Sequence, residues 1–364
     1  MSAFRFAAAD HAHMAHALRL AERGLYTTPP NPRVGCVIVK DGAVVGEGWH
    51  ERAGAPHAEV HALARAGGHA RGATAYVTLE PCSHHGRTPP CAEALINAGV
   101  VRVVAAMTDP NPLVAGGGIA MLTLAGIQAE VGLLETEARA LNPGFVSRMT
   151  RGRPWVRLKT AATLDGRTAL ANGQSQWITG EAARADVQRL RARACAILTG
   201  SGTVCADDPR MTVRDLDTGR QPLRVVVDSA LRTPPGAALL PALIACHHAT
   251  PDARGPLEAA GAEIAELPGA DGRTDLAALL VLLAQRGVNE LHVEAGAALN
   301  GALLAAGLID EWVAYVAPIA IGEPARGLFA DAAPGTLAGA ARFELTDLRR
   351  IGTDLRLVLH PRKA

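Results

Sequence analysis

Three side chains from one segment constrain this chain more than any other feature: His57, Cys82 and Cys91. One imidazole and two thiolates form a borderline-soft donor set, which suits Zn²⁺. Structural zinc sites have four protein ligands, whereas catalytic sites have three and leave a fourth position for water. The segment therefore predicts a catalytic zinc site, around which this part of the chain must fold.

Glu59 follows His57 by two residues, so a short turn can place its carboxylate beside the metal without making it a ligand. Zinc lowers the pKa of water to about 7, and a neighbouring carboxylate can then carry protons. H-x-E followed by P-C-x-x-C is the signature of zinc nucleobase deaminases. Here eight residues separate Cys82 from Cys91, so the loop between the cysteines is longer than in that signature.

The length and composition indicate two folded domains without a general affinity for polyanions. At 364 residues the chain exceeds one ordinary domain, and 49% of its residues are apolar. The formal net charge of +1 gives no general attraction to nucleic acids or anionic membranes. The basic segment 148–154, bounded by Gly and Pro, is the predicted boundary between domains at residues 1–150 and 151–364.

No apolar run approaches the roughly 20 residues that cross a bilayer, and Asp10 and three histidines interrupt the apolar N-terminal stretch. We therefore expect a cytoplasmic protein. The four cysteines outside the zinc segment lack pairing spacing, and we expect them to be reduced, buried, small apolar side chains. They are Cys36, Cys195, Cys205 and Cys246.

Strands and helices alternate in the first half. Asp41-Gly42 between two apolar runs predicts a β-hairpin. His57 and Glu59 begin one predicted helix and Pro90 another, so the positive ends of two helix dipoles would face the metal. The predicted helices cover residues 11–25, 57–66, 118–125 and 135–147, with one more starting near Pro90. The predicted strands cover residues 35–40, 44–49, 73–79, 101–107 and 128–132.

The second half repeats this alternation, which predicts an α/β fold whose mixed or parallel sheet is covered on both faces. Predicted strands cover residues 155–161, 194–199, 223–228, 290–294, 311–317, 341–349 and 354–360. Predicted helices cover residues 181–191, 274–286 and 297–306. The Ala-, Pro- and Gly-rich stretch 233–272 permits no firm assignment.

Three segments that follow predicted strands are candidate binding loops. Small residues between Glu294 and Leu299 would let backbone N–H groups approach a phosphate at a helix start. The other two segments are 159–167 and 203–209. N-caps, turns and solvated loops are the commoner origins of such patterns, and composition alone leaves those alternatives open.

Eight motifs, taken in order, resemble the bifunctional deaminase-reductase family of riboflavin biosynthesis along nearly the whole chain. They are NPRVGCVIVKDG, PHAEVHAL, YVTLEPCSHHGRTPPC, DPNPLVAGGG, LKTAATLDGR, SQWITG, ADDP and VEAG. PCSHHGRTPPC is highly specific, and in this family the longer gap between the cysteines replaces the short C-x-x-C of other zinc deaminases.

The resemblance implies an N-terminal, cytidine-deaminase-like, three-layer αβα domain. Its substrate would be 2,5-diamino-6-(ribosylamino)-4-pyrimidinone 5′-phosphate, whose 2-amino group would leave as ammonia. The implied zinc ligands are His57, Cys82 and Cys91, the implied proton shuttle is Glu59, and the implied substrate contacts are Asn31, His50 and Arg87, with Arg87 on the phosphate.

The resemblance also implies a C-terminal, dihydrofolate-reductase-like α/β domain, in which NADPH would reduce the ribosyl group to ribityl at C1′. The implied cofactor contacts are Ala161, Trp177, Thr203, Asp207, Ser229, Gly296, Ala297, Ala298 and Leu299. The implied substrate contacts are Ser175, Arg191, Met211, Arg214 and Glu294, while Lys159 and Asp207 are candidates for proton handling. Cys205 would stand in a loop where a larger aliphatic residue is expected.

Three alternatives stay open at this point. A deaminase of nucleosides or RNA is disfavoured by the low net charge and by an aromatic content of 3%, which offers few stacking platforms. A purely structural zinc would need a fourth ligand, for which His84 and His85 are near in sequence, and it would leave Glu59 without a purpose. The second half could also be a scaffold without reductase activity.

The expected partner is a small phosphorylated pyrimidine, with no nucleic acid and no membrane. We also expect a homo-oligomer.

Overall fold

The computed structural model describes residues 6–84, 89–331 and 334–362. The chain divides into two compact units, Met1–Gly152 and Arg153–Ala364. Within the three described stretches, no helix combines the length and the apolar composition that crossing a bilayer requires.

The first unit builds a mixed five-stranded sheet with the order β2-β1-β3-β4-β5. β1 pairs antiparallel with β2 and β3, whereas β3, β4 and β5 are parallel. In chain order the elements are α1 (Ala8–Glu22), β1 (Gly35–Lys40), β2 (Ala43–Trp49), α2 (Ala58–Ala66), β3 (Thr74–Val77), α3 (Cys91–Asn97), β4 (Arg102–Ala105), α4 (Gly117–Leu124), β5 (Gln128–Val131), α5 (Glu135–Leu141) and α6 (Pro143–Arg151).

Helices cover both faces of this sheet, as the alternation of buried residues along β1 shows. Cys36 and Ile38 pack with side chains from α2, α3 and α4. Val37 and Val39 point to the opposite face and pack with α1, α5 and α6. Because successive strand residues alternate between faces, one strand contributes to both cores. The predicted three-layer arrangement is confirmed.

Two glycines of β2 let α2 lie unusually close to the sheet. A Cβ on Gly46 would lie 2.3 Å from the Ala62 carbonyl oxygen, and one on Gly48 would lie 2.5 Å from the Ala58 carbonyl oxygen. Only glycine permits such an approach, since a side chain at either position would overlap the helix backbone. The first turn of α2 carries Glu59, so this contact fixes the height of that carboxylate above the sheet.

The hairpin predicted at Asp41-Gly42 is present, and both residues have a positive φ (51° and 78°), as a type I′ turn requires.

The single helix predicted over 135–147 is wrong. Asn142 departs from helical geometry (φ −121°, ψ 41°), and a second helix begins at Pro143. Proline cannot donate to the preceding turn, and the Asn142 amide instead bonds both backbone polar groups of Arg33. The first helix begins at Ala8 and ends at Glu22, three residues before the predicted positions.

The second unit builds a nine-stranded sheet with the order β11-β10-β9-β8-β12-β6-β13-β16-β15, and β7 pairs separately with β14. In chain order the elements are β6 (Trp155–Thr163), β7 (Arg167–Ala169), α7 (Glu181–Arg193), β8 (Ala196–Gly200), α8 (Ser201–Asp207), β9 (Leu223–Val227), β10 (Leu243–Cys246), α9 (Pro251–Ala259), β11 (Glu263–Glu266), α10 (Leu276–Gln285), β12 (Glu290–Glu294), α11 (Ala297–Ala305), β13 (Glu311–Ala317), β14 (Arg326–Gly327), β15 (Phe343–Ile351) and β16 (Asp354–Pro361).

Seven neighbouring strands of this sheet, from β11 to β13, are parallel, and β16 and β15 continue it antiparallel. Leu158, Leu198 and Val293 pack on one face with α10 and α11. Ile197 points to the other face, where it packs with α8 and α9. In parallel sheets ligands bind beyond the carboxyl ends of the strands, where the chain changes direction across the sheet. Here that edge lies after β6, β8 and β12.

Several elements of the second unit escaped prediction. The segment around Cys205 was expected to be a loop, but Ser201–Asp207 forms α8 directly after β8. The unassigned stretch 233–272 contains β10, α9 and β11, and β7 and β14 are too short for a periodic pattern. All six cysteines are free, and Cys36 and Cys246 are buried as expected. Cys205 is exposed and Cys195 only partly buried, so the expectation of four buried thiols is wrong for these two.

Candidate active sites

The three predicted zinc ligands meet in the first unit, where their donor atoms all lie within 4.8 Å of one another. His57 is the residue just before α2, Cys91 is the first residue of α3, and Cys82 lies in the loop after β3. The Nδ1 atom of His57 lies 3.3 Å from Cys91 Sγ and 3.7 Å from Cys82 Sγ. Donor atoms of a tetrahedral zinc site lie about 3.6 Å apart, so these three residues fit the ion.

The same contacts favour a thiolate at Cys82. The Cys91 thiol, and after it the His57 ring, hydrogen bond to Cys82 and lower the pKa of its thiol. The backbone N–H of Cys91 also donates to Cys82 Sγ over 3.3 Å. Zinc binds the thiolate form, so these contacts favour Cys82 as a ligand.

Glu59 is buried in the first turn of α2, beside the ligands. Burial raises the pKa of its carboxyl group to about 6, although the charge of His57 opposes the shift. Its Oε2 atom has no hydrogen-bond partner among the described residues. A buried carboxylate oxygen without a partner is costly, and its presence beside a metal pocket suits a group that exchanges protons with substrate.

His84 is exposed and does not belong to the ligand group, which contains His57, Cys82 and Cys91 alone among the described residues. A fourth ligand from His84 is therefore not supported. His85 and the predicted substrate contact Arg87 lie outside the described residues.

The other two predicted substrate contacts in this unit, Asn31 and His50, bond directly to each other. His50 Nδ1 lies 3.1 Å from the Pro56 carbonyl oxygen and must donate to it, so Nε2 accepts the Asn31 amide at 3.1 Å. Burial lowers the pKa of His50, which agrees with a neutral ring. The His50 ring meets the His57 ring edge-on with centroids 5.6 Å apart, so the pair borders the metal pocket.

Glu80 is a residue of this site that the sequence reasoning missed. Its buried carboxylate accepts four backbone N–H groups, from Asp109, Gly116, Gly118 and Ile119. These bonds tie the start of α4 to the loop that carries Cys82. A Cβ on Gly118 would lie 1.9 Å from the Pro81 carbonyl oxygen, so only glycine allows this approach. Glu80 lies two residues before Cys82, and this position, together with the glycine run 116–118, was the sequence signal that could have revealed its role.

In the second unit, one buried and three partly buried side chains form a group that we call the charged cluster: His292, Lys159, Arg191 and Glu294. Arg191 on α7 donates twice to Glu294 at the end of β12, with Nε–Oε1 and Nη2–Oε2 distances of 2.5 and 2.9 Å. Lys159 Nζ on β6 lies 4.0 Å from Glu294 Oε2. The structure thus brings together three residues that the resemblance implied separately.

Charge compensation governs the ionisation of this cluster. Burial lowers the pKa of Lys159, and the charge of Glu294 only partly offsets that shift. Burial by itself would raise the pKa of Glu294, but the charge of Arg191 and hydrogen bonds from His292 and Arg191 hold it well below its ordinary value. Glu294 is therefore an ionised acceptor, while Lys159 releases its proton more readily than an exposed lysine.

The predicted cofactor contacts lie along the carboxyl edge of the sheet. Thr203 on α8 faces the turn before α11, since a Cβ on Gly296 would lie 3.7 Å from Thr203 Oγ1. Leu299 packs near Gly200 at the end of β8. Ser229 follows β9, and its hydroxyl bonds Thr274 Oγ1 over 3.0 Å. The turn before α11 consists of small residues at a helix start, which fits the phosphates of a dinucleotide. Ala297 and Ala298 form the first turn of α11, and Ala161 pairs with Tyr315 on β13.

Other predicted contacts are less closely assembled. Trp177 is 69% exposed, with the Arg184 guanidinium 4.6 Å from its ring centroid, and Ser175 lies in the same loop. Asp207 ends α8 with an exposed side chain that makes no ion pair with any described residue. Met211 is buried and Arg214 exposed, and the segment between them reaches Arg191, whose Nη1 donates to the Thr212 carbonyl oxygen.

Comparison with known proteins accounts for both sites. Residues 7–107 match the cytidine and deoxycytidylate deaminase zinc-binding region, and residues 154–357 match the RibD C-terminal domain. The riboflavin biosynthesis protein RibD of Escherichia coli is 52% identical over 96% of this chain and 99% of its own length. The chain belongs to the RibD family. RibD of Haemophilus influenzae is 47% identical over 98% of this chain and 99% of its own.

Solved structures of RibD proteins agree with this assignment. Acinetobacter baumannii RibD superposes with a TM-score of 0.91 at 48% identity, covering 98% of this chain and 99% of its own. A diaminohydroxyphosphoribosylaminopyrimidine deaminase/5-amino-6-(5-phosphoribosylamino)uracil reductase from Thermotoga maritima has a TM-score of 0.84 at 31% identity, covering 97% of this chain and 99% of its own. As a RibD protein, the chain is a bifunctional enzyme of riboflavin biosynthesis, with a zinc-dependent deaminase and an NADPH-dependent reductase activity. The predicted fold class, activities and cofactors are confirmed.

Proposed function

We propose that residues 1–150 deaminate 2,5-diamino-6-(ribosylamino)-4-pyrimidinone 5′-phosphate, and that residues 151–364 reduce the ribosyl group of the product to ribityl. The observation that carries the first assignment is the convergence of three zinc donors beside the unpartnered, buried oxygen of Glu59. The name of the Thermotoga maritima relative gives the same pair of reactions on a phosphoribosylated pyrimidine.

In the first unit, His57, Cys82 and Cys91 would hold the zinc, which when bound activates water at neutral pH. Glu59 would carry a proton to the departing ammonia, because its buried Oε2 has no hydrogen-bond partner among the described residues and its raised pKa lets it exchange protons near pH 6. Asn31 and His50 would hold the pyrimidine, and Arg87 would bind its phosphate.

Substitution of Glu59 with Gln tests this role while leaving the ligands in place. We expect zinc content near one ion per chain and a fall in ammonia release of about a hundredfold or more, as removal of a general acid–base group produces. Glu22→Gln is the matched control, since it removes one exposed carboxylate from α1 of the same unit. Unchanged ammonia release by a zinc-replete Glu59→Gln variant would reject the shuttle.

In the second unit, NADPH when bound supplies a hydride. Thr203, Ser229 and the turn from Gly296 to Leu299 would bind it, and Ala161, Trp177 and Asp207 would complete the cofactor contacts. Glu294 and Arg191 would bind the substrate, together with Ser175, Met211 and Arg214. Lys159 would transfer a proton at the ribosyl group, because burial favours its neutral form and Glu294 lies beside its amine. Asp207 is the weaker candidate for that transfer.

The loss of NADPH absorbance with the deaminated intermediate measures this half alone. We expect oxidation by the wild-type chain and a loss of about a hundredfold in Lys159→Ala. Ammonia release by the same variant should be unchanged, which controls for folding. If the wild-type chain oxidised no NADPH, the second unit would not carry the reductase; normal oxidation by Lys159→Ala would exclude Lys159 alone.

A further inference from the structure

His292 is a fully buried histidine in the charged cluster to which neither proposed reaction assigns a role. It lies on β12, two residues before Glu294, so both side chains point to the same face of the sheet while Val293 points into the opposite core. Its Nε2 atom lies 3.1 Å from Glu294 Oε1. Its Nδ1 atom is buried without a hydrogen-bond partner among the described residues.

These contacts determine which ring nitrogen of His292 carries the proton. An ionised carboxylate can only accept, so Nε2 must donate to Glu294. A second proton would place an N–H at Nδ1 with no acceptor, which is costly in a dry interior, whereas a bare lone pair costs less. Burial also lowers the pKa of His292, although the hydrogen bond to Glu294 and the charge of Glu294 oppose the shift. The ring is therefore neutral and has one hydrogen bond to give.

That hydrogen bond determines the orientation of the Glu294 carboxylate. Oε1 accepts from His292 and from Arg191 Nε, and Oε2 accepts from Arg191 Nη2 and faces Lys159. Rotation of the carboxylate about its Cγ–Cδ bond would break the His292 bond and move Oε2 away from Lys159. Arg191 alone leaves some freedom, because its long side chain has several rotatable bonds and can follow the carboxylate.

We propose that His292 is a positioning residue of the reductase: its Nε2–H holds Glu294 in the orientation that presents Oε2 to Lys159 and keeps the paired Arg191 in place for substrate. This proposal rests on the proposed roles of Glu294, Arg191 and Lys159. It differs from a purely structural role because it requires a donor at the position of Nε2, whereas packing requires only volume.

Two amide substitutions separate these roles. A glutamine amide reaches about as far as imidazole Nε2, whereas an asparagine amide reaches only as far as Nδ1, so His292→Gln keeps a donor toward Glu294 and His292→Asn does not. The full chain is assayed for NADPH oxidation with the deaminated intermediate, for NADPH affinity by fluorescence quenching, and for ammonia release.

For His292→Asn we expect kcat/KM for the intermediate to fall about tenfold, as loss of one hydrogen bond to a charged group predicts. His292→Gln should stay within about threefold of wild type, since it keeps the donor. Both variants should keep wild-type NADPH affinity and ammonia release. Equal activity of the two variants, whether both normal or both impaired, would overturn the proposal. A His292→Gln variant less active than His292→Asn would overturn it as well.

Glu294→Gln distinguishes failure of this proposal from failure of the underlying assignment. If Glu294→Gln reduces the intermediate normally, Glu294 has no role to be positioned for, and the proposal falls together with the assignment. If Glu294→Gln is inactive while His292→Asn is normal, only the positioning role of His292 is wrong.

Discussion

The zinc pocket of the first unit and the charged cluster of the second are both partly buried, but they are assembled in different ways. The zinc donors come from one segment, 57–91, and two of them stand at helix starts, so local turns and caps bring them together. The charged cluster joins β6, α7 and β12, which are far apart in the chain, and it holds its position by mutual charge compensation. A metal pocket of this kind should fail completely when one ligand is lost, whereas a compensated cluster should weaken by degrees.

The largest expected effect is that of Cys82→Ser, which tests the all-or-none character of the zinc pocket. Serine does not supply the thiolate, so zinc content should fall from about one ion per chain to near zero and ammonia release by more than about a thousandfold. Cys205→Ser, at an exposed thiol, is the matched control and should keep both. A Cys82→Ser variant with full zinc and normal ammonia release would contradict the ligand assignment.

The second expected effect concerns another buried ion group of the second unit, Arg157 with Glu290 and Glu311. Burial opposes ionisation of Glu311, but the charge and hydrogen bonds of Arg157 lower the pKa of its carboxyl group from 4.5 to about 2. A carboxyl group whose pKa is lower in the folded state than in the unfolded state stabilises the fold at pH values above its unfolded-state pKa. This stabilisation is lost as the pH falls from about 5 toward 2. The contribution at neutral pH is about 3 kcal/mol.

Urea unfolding followed by tryptophan fluorescence measures this contribution, since three of the four tryptophans lie in the second unit. Glu311→Gln should lower the free energy of unfolding at pH 7 and flatten its decline below pH 5. Glu263→Gln is the matched control, because Glu263 pairs with Arg286 at the surface and should contribute less than about 1 kcal/mol. If Glu311→Gln and Glu263→Gln lowered the free energy of unfolding equally at pH 7, the buried ion group would stabilise the fold no more than a surface ion pair does.

The third expected effect tests the graded character of the charged cluster. In Arg191→Lys a point charge replaces a guanidinium that bonds both oxygens of Glu294 and the Thr212 carbonyl. The positive charge remains, so we expect kcat/KM for NADPH oxidation to fall only about tenfold. Arg189→Lys, on the exposed face of the same helix, should have no effect. Complete inactivation of Arg191→Lys would show that this cluster is as intolerant as the zinc pocket.

The smallest expected effect is at Cys205, which is exposed on α8 between Thr203 and Asp207. Because the side chain points to solvent, Cys205→Leu should change NADPH affinity by less than about twofold. Fluorescence quenching by NADPH measures this affinity. A tenfold change would place residue 205 in contact with the cofactor.

The two sites also differ in how far the sequence alone could predict them. The zinc donors and Glu59 were predicted from residue type and spacing, and the structure brings them together. Arg191 and Glu294 came only from the family resemblance, since no spacing rule links two strands and a helix of distant sequence. Glu80 and His292 were missed, because a buried carboxylate bonded to backbone and a buried neutral histidine leave no pattern of their own.

Most strands and helices were predicted because hydrophobic periodicity is local, whereas the failures have non-local causes. The break at Asn142 depends on its bonds to Arg33, more than a hundred residues earlier in the chain. The assignment of 233–272 failed because β10 and β11 are four-residue strands whose burial comes from neighbours in the sheet.

By itself, the sequence determined the donor set of the metal, the alternating α/β pattern and the family, since each depends on residue types at short, fixed spacings. Only the tertiary structure decided that Lys159, Arg191, His292 and Glu294 form one cluster. Strand order in a sheet follows from how whole faces pack, and it brings β12 beside β6 although half of the second unit separates them in the chain. A site that depends on strand order is therefore determined by the tertiary structure and not by any single segment of the sequence.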